Sequence, residues 1–208
     1  MSTGRLEPRD VAPPMAAERV VIVDPLPADW LTDAWAWRRE EPQWNFDDFS
    51  RPRDRAAFGE QMELMRRAGI RHLGVLIDDE PSGVLSVDTA NLGVQTLIDV
   101  VFSRPVCGRG GPRLAVRRVV DALFRDGARK VTATFFADDV RAERFFSALG
   151  FSTEGVLRDH ALRQGRPASV RLMARFPSPG GPAVRVADGR ALEPVARQSR
   201  PGAQVVRE

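Results

Sequence analysis

The 208-residue chain has no tyrosine, one cysteine (Cys107), one lysine (Lys130) and two histidines, His72 and His160. A single cysteine excludes a disulfide framework and a Cys-rich zinc site, and two histidines supply too few ligands for a structural metal. No metal is therefore expected. Long apolar runs are also missing: nothing approaches the roughly 18 residues that a membrane span requires. Residues 1–14 lack the apolar segment of a secretory signal. These absences point to a cytoplasmic protein with no membrane partner.

What is present looks basic, with an isoelectric point near 10.2. Yet 31 basic residues stand against 28 acidic ones, a net charge of only +3. With one lysine and no tyrosine, almost nothing titrates between about pH 8 and 12, so a small arginine excess drags the value upward. It does not mark a nucleic-acid-binding protein. Scarce Lys, Asn, Ile and Tyr beside abundant Arg, Ala, Gly and Pro resemble the codon usage of a GC-rich bacterial genome.

Residues 1–17 are polar and read as a flexible leader. Residues 177–208 hold no aromatic side chain, and nine of those 32 are Pro or Gly. Such a segment cannot bury enough apolar surface to offset its ordering entropy, so it reads as a disordered tail. Between them, 18–176 form one domain. Strand-like runs are expected at 19–23, 73–77, 84–89, 96–102, 130–136, 151–157 and 169–176, with a turn over 78–83 and another at Gly165. Helices are expected at 27–38, 54–67, from the glycine loop to about 124, and at 139–149. The order β-α-α-β-β-β-α-β-α-β-β describes an α/β protein with a mixed sheet, not a doubly wound one.

Cys107-Gly108-Arg109-Gly110-Gly111-Pro112-Arg113 follows a strand and opens a helix. Glycines let a phosphate approach the backbone, and first-turn N–H groups have no intrahelical partners. The helix dipole and the charges of Arg109 and Arg113 favour an anion there. Pro112 suits the first helical position, where its missing N–H is spare. The loop is neither a P-loop nor a Gly-x-Gly-x-x-Gly fingerprint, and a plain strand–helix turn is the alternative.

Downstream, Asp139-Val-Arg-Ala142-Glu-Arg144-Phe-Phe-Ser-Ala-Leu149-Gly150-Phe151 precedes Glu154-Gly155-Val-Leu-Arg158. This stretch resembles the acetyl-CoA half of the GNAT acetyltransferase superfamily, which writes Asn-x-x-Ser/Ala-x-Arg, then Leu-Gly-Phe, Glu-Gly and Arg. The family's Gln/Arg-x-x-Gly-x-Gly/Ala loop falls where this chain has Cys107-x-x-Gly110-x-Pro112. The resemblance is firm over about 82–176 and weaker over 18–81. Within the superfamily, the Glu-Gly…Arg and Gly165 ending is most similar to the subgroup that includes ribosomal-protein alanine N-acetyltransferases and many small-amine enzymes. Three positions depart from the pattern. Cys107 and Pro112 replace loop residues, Asp139 stands for Asn, and Phe146 stands where many members carry a tyrosine that protonates the leaving thiolate.

The resemblance implies a mostly antiparallel central sheet flanked by helices and an acetyl-CoA (or other acyl-CoA) co-substrate. The amine of a small molecule or of a protein N-terminus would attack the thioester directly. Backbone groups of Val100, Val101 and Phe102 would pair with the pantetheine arm. Gly108, Arg109, Gly110, Gly111 and Arg113 would hold the pyrophosphate, Asp139 would cap the next helix, and Arg144 would meet the adenosine 3′-phosphate. Asp99 interrupts an apolar strand, where a carboxylate is costly unless paired or functional. It is the first candidate general base, and a structural pair with an arginine is its alternative use. His160 is the second candidate. All four tryptophans lie within fifteen residues. Trp35, Trp37 and Trp44 could line the acceptor site with Asp88, or they could simply be helix core with Trp30. The competing function is a GNAT-fold protein that binds CoA or an acyl carrier but performs O-acylation, another acyl chemistry or no catalysis. Monomer and homodimer stay open.

Overall fold

The computed structural model describes residues 18–40, 52–89 and 94–177. The leader, the tail and Trp44 lie outside the described residues. Seven strands form one sheet in the order β1-β2-β3-β4-β5-β7-β6. They are β1 (Val20–Val23), β2 (Ile70–Ile77), β3 (Glu80–Asp88), β4 (Thr96–Phe102), β5 (Val131–Phe136), β6 (Ser152–Arg163) and β7 (Arg166–Arg175). Among the described residues four α-helices accompany them: α1 (Leu31–Glu40), α2 (Arg55–Arg67), α3 (Gly110–Arg125) and α4 (Val140–Ser147). The element order is the expected one.

Several boundaries differ for local reasons. Ala28–Trp30 is a 3-10 turn, so α1 begins at Leu31 rather than Pro27. The turn expected over 78–83 shrinks to Asp78-Asp79. Both residues have positive φ (54° and 68°), as a two-residue hairpin turn demands, and β3 begins directly at Glu80. A register shift at Val75/Leu76 fits Pro81 into that hairpin. Gln164-Gly165 turns β6 into β7 in the same way, so both strands continue through the polar 158–163 and 166–168 segments. Pro112 is the third residue of α3, not the first, but still lies in the turn where N–H groups have no intrahelical partner.

Successive residues of a strand face opposite sides of the sheet, and the two sides differ. Leu73, Val75, Leu85, Val87, Ile98 and Phe102 join Ala115, Val116, Val119, Val120 and Leu123 of α3 in a large core. On the other side a smaller cluster joins Val84 and Val101 to Ala34 of α1 and Phe58 of α2, with Trp35 and Trp37 packed against it. Trp30 lies on β2, where a methyl group on Gly74 would meet its ring at 2.6 Å. Trp30, Trp35 and Trp37 are therefore packing residues of this second layer.

The strand pairing opens the functional space. Every neighbouring pair is antiparallel except β4 and β5, which are parallel and meet only at Thr96↔Val131 and Leu97↔Thr132. Beyond Leu97 the two strands part. The backbone groups of β4 that face β5 lose their ladder there, in the middle of the sheet.

Candidate active site

A cleft of about 640 Å³ fills that gap. Its walls come from Ile98, Asp99, Val100 and Phe102 of β4, Thr134 and Phe135 of β5, the 107–113 loop and α4, with Arg38 of α1 at one edge. Five arginines line it (Arg38, Arg109, Arg113, Arg141 and Arg144) against two carboxylates, Asp99 and Asp139.

At the loop end, Gly108 has φ +88°, a value only glycine adopts freely, and it turns the chain from Cys107 into α3. Arg113, Arg141 and Arg144 are exposed and form no ion pair with any described residue. Three unbalanced guanidinium groups beside a helix N-terminus make a strong site for a polyanion. Asp139 does not contribute a free negative charge: its carboxylate accepts from the Ala142 N–H at 2.8 Å and caps α4.

Two residues at this end play another part than expected. Gly110 and Gly111 do not line the cleft. The Gly111 N–H donates instead to the carboxylate of Glu18, which also binds the Arg109 guanidinium. Arg109 is held on its other side by Asp78, 3.0 Å away. Its charge is thus balanced internally. Glu18, with only 9% of its side chain exposed, caps α3 from the start of β1. Nothing in the sequence signals this: capping carboxylates are sought next to the helix, and Glu18 is 93 residues away.

At the other end, Asp99 lies in the cleft wall and forms a 2.6 Å ion pair with Arg38. Asp99 is thus arginine-paired, the structural alternative raised for it, and at 45% side-chain exposure it still faces the cleft. Behind it, His72 is buried with Nδ1 2.9 Å from Ser86 Oγ. Burial pushes the His72 imidazole below its ordinary range, opposed by the Met62 carbonyl and the Asp99 charge. Phe102 lines the cleft, while Val101 points its side chain into the second core. Val100 lines the cleft and packs on the main core.

The remaining expected site residues lie elsewhere. His160 is exposed on β6 and does not line the cleft. Asp88, Trp35 and Trp37 are likewise outside its wall. Phe146 lines the cleft but is 5% exposed and stacks on Phe135 at 5.7 Å, with Phe145 and Phe151 edge-on to it. Its ring is part of the core wall. Among the described residues no group of three His, Cys, Asp or Glu side chains could hold a metal, and no helix is long and apolar enough to cross a membrane.

The same fold occurs in solved acetyltransferases. The chain is similar to spermidine N-acetyltransferase from Vibrio cholerae, solved with CoA and spermine (TM-score 0.64, 18% identity, 76% of this chain and 95% of that one). It is similar to ribosomal-protein-alanine N-acetyltransferase from Brucella melitensis (TM-score 0.60, 14% identity, 75% and 99%). RimL, a ribosomal L7/L12 alpha-N-protein acetyltransferase solved with coenzyme A, aligns at TM-score 0.64 and 14% identity over 76% of this chain and 93% of its own. No curated protein matches the sequence. The profile of the acetyltransferase (GNAT) family matches residues 31–151, more than half of the chain. On that match, and with a sheet that parts between β4 and β5 over an arginine-lined cleft, the chain belongs to the GNAT acetyltransferase family.

Proposed function

We infer that residues 18–176 form an acyl-CoA-dependent N-acyltransferase unit, acting on the amine of a small molecule or of a protein N-terminus. The observation that carries this reading is the cleft itself: three unbalanced arginines at one end, a carboxylate at the other, and an unpaired edge of β4 between them. Acetyl-CoA, when bound, supplies the activated acetyl group. Arg113 and the amides around Gly108 suit its pyrophosphate, and Arg144 its 3′-phosphate. The open backbone of residues 100–102 suits an amide-bearing arm, which would take the ladder positions that β5 leaves free. The similar structures act on spermidine and on ribosomal proteins, and both present amines.

Asp99 takes the proton of the acceptor ammonium, leaving a neutral amine to attack. The new N–C bond would form as the C–S bond breaks, the proton that the attacking nitrogen then sheds passing to the departing sulfur directly or through solvent, so that coenzyme A leaves as its thiol. Arg38 holds the carboxylate in place between turnovers. No tyrosine exists to protonate the leaving sulfur, and the buried Phe146 ring fills the corresponding position.

Titration calorimetry with acetyl-CoA, followed by thiol release across small amines and N-terminal peptides, tests the proposal. Saturable binding and amine-dependent release are expected. No binding at millimolar acetyl-CoA would sink it. Binding without release from any amine would favour the fold's reuse for O-acylation, another acyl chemistry or binding alone, a reading that the missing tyrosine motivates.

A further inference from the structure

The β4 end of the cleft carries one charge more than the proposed chemistry uses. Asp99 of β4 and Arg38 of α1 meet at 2.6 Å, through Arg38 Nη1 and Asp99 Oδ2, and both side chains line the cleft. Arg38 is the more enclosed of the two, with 25% of its side chain exposed against 45% for Asp99. A partly desolvated guanidinium binds an anion more strongly than one in open water. Its planar fork carries further N–H donors beyond the nitrogen that Asp99 engages.

The remaining charges of the cleft are already placed. Asp139 accepts from the Ala142 N–H and caps α4. Arg109 is met by Glu18 and Asp78. Arg113, Arg141 and Arg144 stand at the loop end, where the phosphates of an acyl-CoA would meet them. Among the described cleft residues, Arg38 and Asp99 are what is left for the acceptor. A polyamine would bring several positive charges to a place whose single carboxylate already has a cation beside it, and Arg38 would repel them. An amine that carries its own carboxylate brings one charge of each sign, and each finds its opposite.

We propose that the acceptor is a small zwitterion of the α-amino-acid class, its carboxylate held by Arg38 and its ammonium by Asp99. The inference rests on the N-acyltransferase reading of the same cleft. Standard bond lengths put the ammonium nitrogen and the carboxylate carbon of an α-amino acid about 2.5 Å apart. Binding both groups at once therefore needs two protein charges of opposite sign side by side, which is what the pair supplies. The acceptor carboxylate takes the guanidinium donors that Asp99 leaves, and the ammonium rests on the Asp99 carboxylate. The four groups close a ring of alternating charge, with charge-assisted contacts and the Arg38–Asp99 contact kept. The acceptor carboxylate stays on Arg38 during transfer and takes no part in bond making. A peptide N-terminus presents a neutral amide in its place and lacks that contact.

The test is kcat/KM for acetyl transfer by the full chain to amino acids with small, apolar, acidic and basic side chains. Each is measured beside its own α-amide, with spermidine and an N-terminal peptide for comparison. The amide lacks the negative charge, and its amine is the less basic, so solution reactivity at neutral pH favours the amide. The enzyme is expected to prefer at least one amino acid over its amide by about 10- to 100-fold, the range for hydrogen bonds to a charged group. Arg38→Gln should erase that preference through a higher KM for the amino acid. Arg38→Lys, which keeps the charge without the fork, should retain part of it. Two acceptors compared on one preparation share any loss of folded enzyme, so a poorly folding variant does not disturb the ratio. A wild type that favours the amides, the peptide or spermidine, or a preference that Arg38→Gln leaves in place, would overturn the zwitterion assignment and leave the N-acyltransferase reading standing. Acetyl-CoA binding without transfer to these or any other amines would overturn both.

Discussion

The two ends of the cleft handle charge in opposite ways. At the loop end, Arg113, Arg141 and Arg144 have no carboxylate partner among the described residues, while the fourth arginine, Arg109, is neutralised by Glu18 and Asp78. At the β4 end, the single carboxylate is closed on Arg38 and backed by a buried histidine. Open positive charge suits a polyanion that arrives from solvent. A closed ion pair suits a group that must exchange a proton and return to the same state. On the function proposed, the contrast corresponds to a binding end and a reacting end within one cavity.

Asp99→Asn should test that division most strongly. Transfer is expected to fall by about 10²- to 10⁴-fold, the range for a positioned acid or base, with acetyl-CoA affinity in calorimetry unchanged. A parallel loss of affinity would mean that the two ends are not separable. Glu18→Ala removes the remote cap of α3, strands the Gly111 N–H and leaves the Arg109 guanidinium to Asp78 alone. A stability loss of about 1–3 kcal/mol is expected in thermal or denaturant unfolding. Glu18→Gln, which keeps an acceptor, should recover part of it; equal losses would show that the cap's charge, not its hydrogen bond, matters.

Arg113→Ala or Arg144→Ala should weaken acetyl-CoA about tenfold, on the order of 1.4 kcal/mol, with kcat little changed. The salt dependence of binding should flatten in the same variants. If kcat fell instead, the loop end would have a share in the chemistry. The smallest effect concerns His72. Its folded-state affinity for protons is depressed below the ordinary value of 6.5, so the unfolded chain binds the proton more readily. Stability should therefore decline as pH falls through about 6.5 toward the lower folded value. His72→Gln should remove that part of the slope in unfolding curves measured between pH 7.5 and 5 (a roughly chosen span on either side of the ordinary histidine range).

The reach of sequence reasoning follows the range of the interactions. Asp139 as a helix cap, the helices expected at 54–67 and after the glycine loop, and the strand at 96–102 are local patterns, and each stands where the pattern places it. Arg113 of the loop and Arg144 of α4 are named from a contiguous motif and line the cleft, whereas Arg141, one turn before Arg144, is a cleft residue that the motif does not single out. Boundaries were misread where polar residues sit in a strand: 80–83 and 158–163 look like loops, yet two-residue turns at Asp78-Asp79 and Gln164-Gly165 pull them into hairpins. His160 was a candidate because it is a histidine near a motif, but proximity in the chain does not bring it to the cleft wall.

By itself, the sequence determined the order of elements, the absence of tyrosine from any proton-transfer step, and the place of the glycine loop between a strand and a helix. Each depends on composition or on neighbours within a few turns of chain. Only the tertiary structure decided which arginine is free and which is already balanced, because Glu18 and Arg109 meet across 91 residues. It also joined Arg38, His72, Ser86 and Asp99 from one helix and three strands. Strand register sets that meeting, and register is fixed by the packing of the whole sheet, not by any local run of residues.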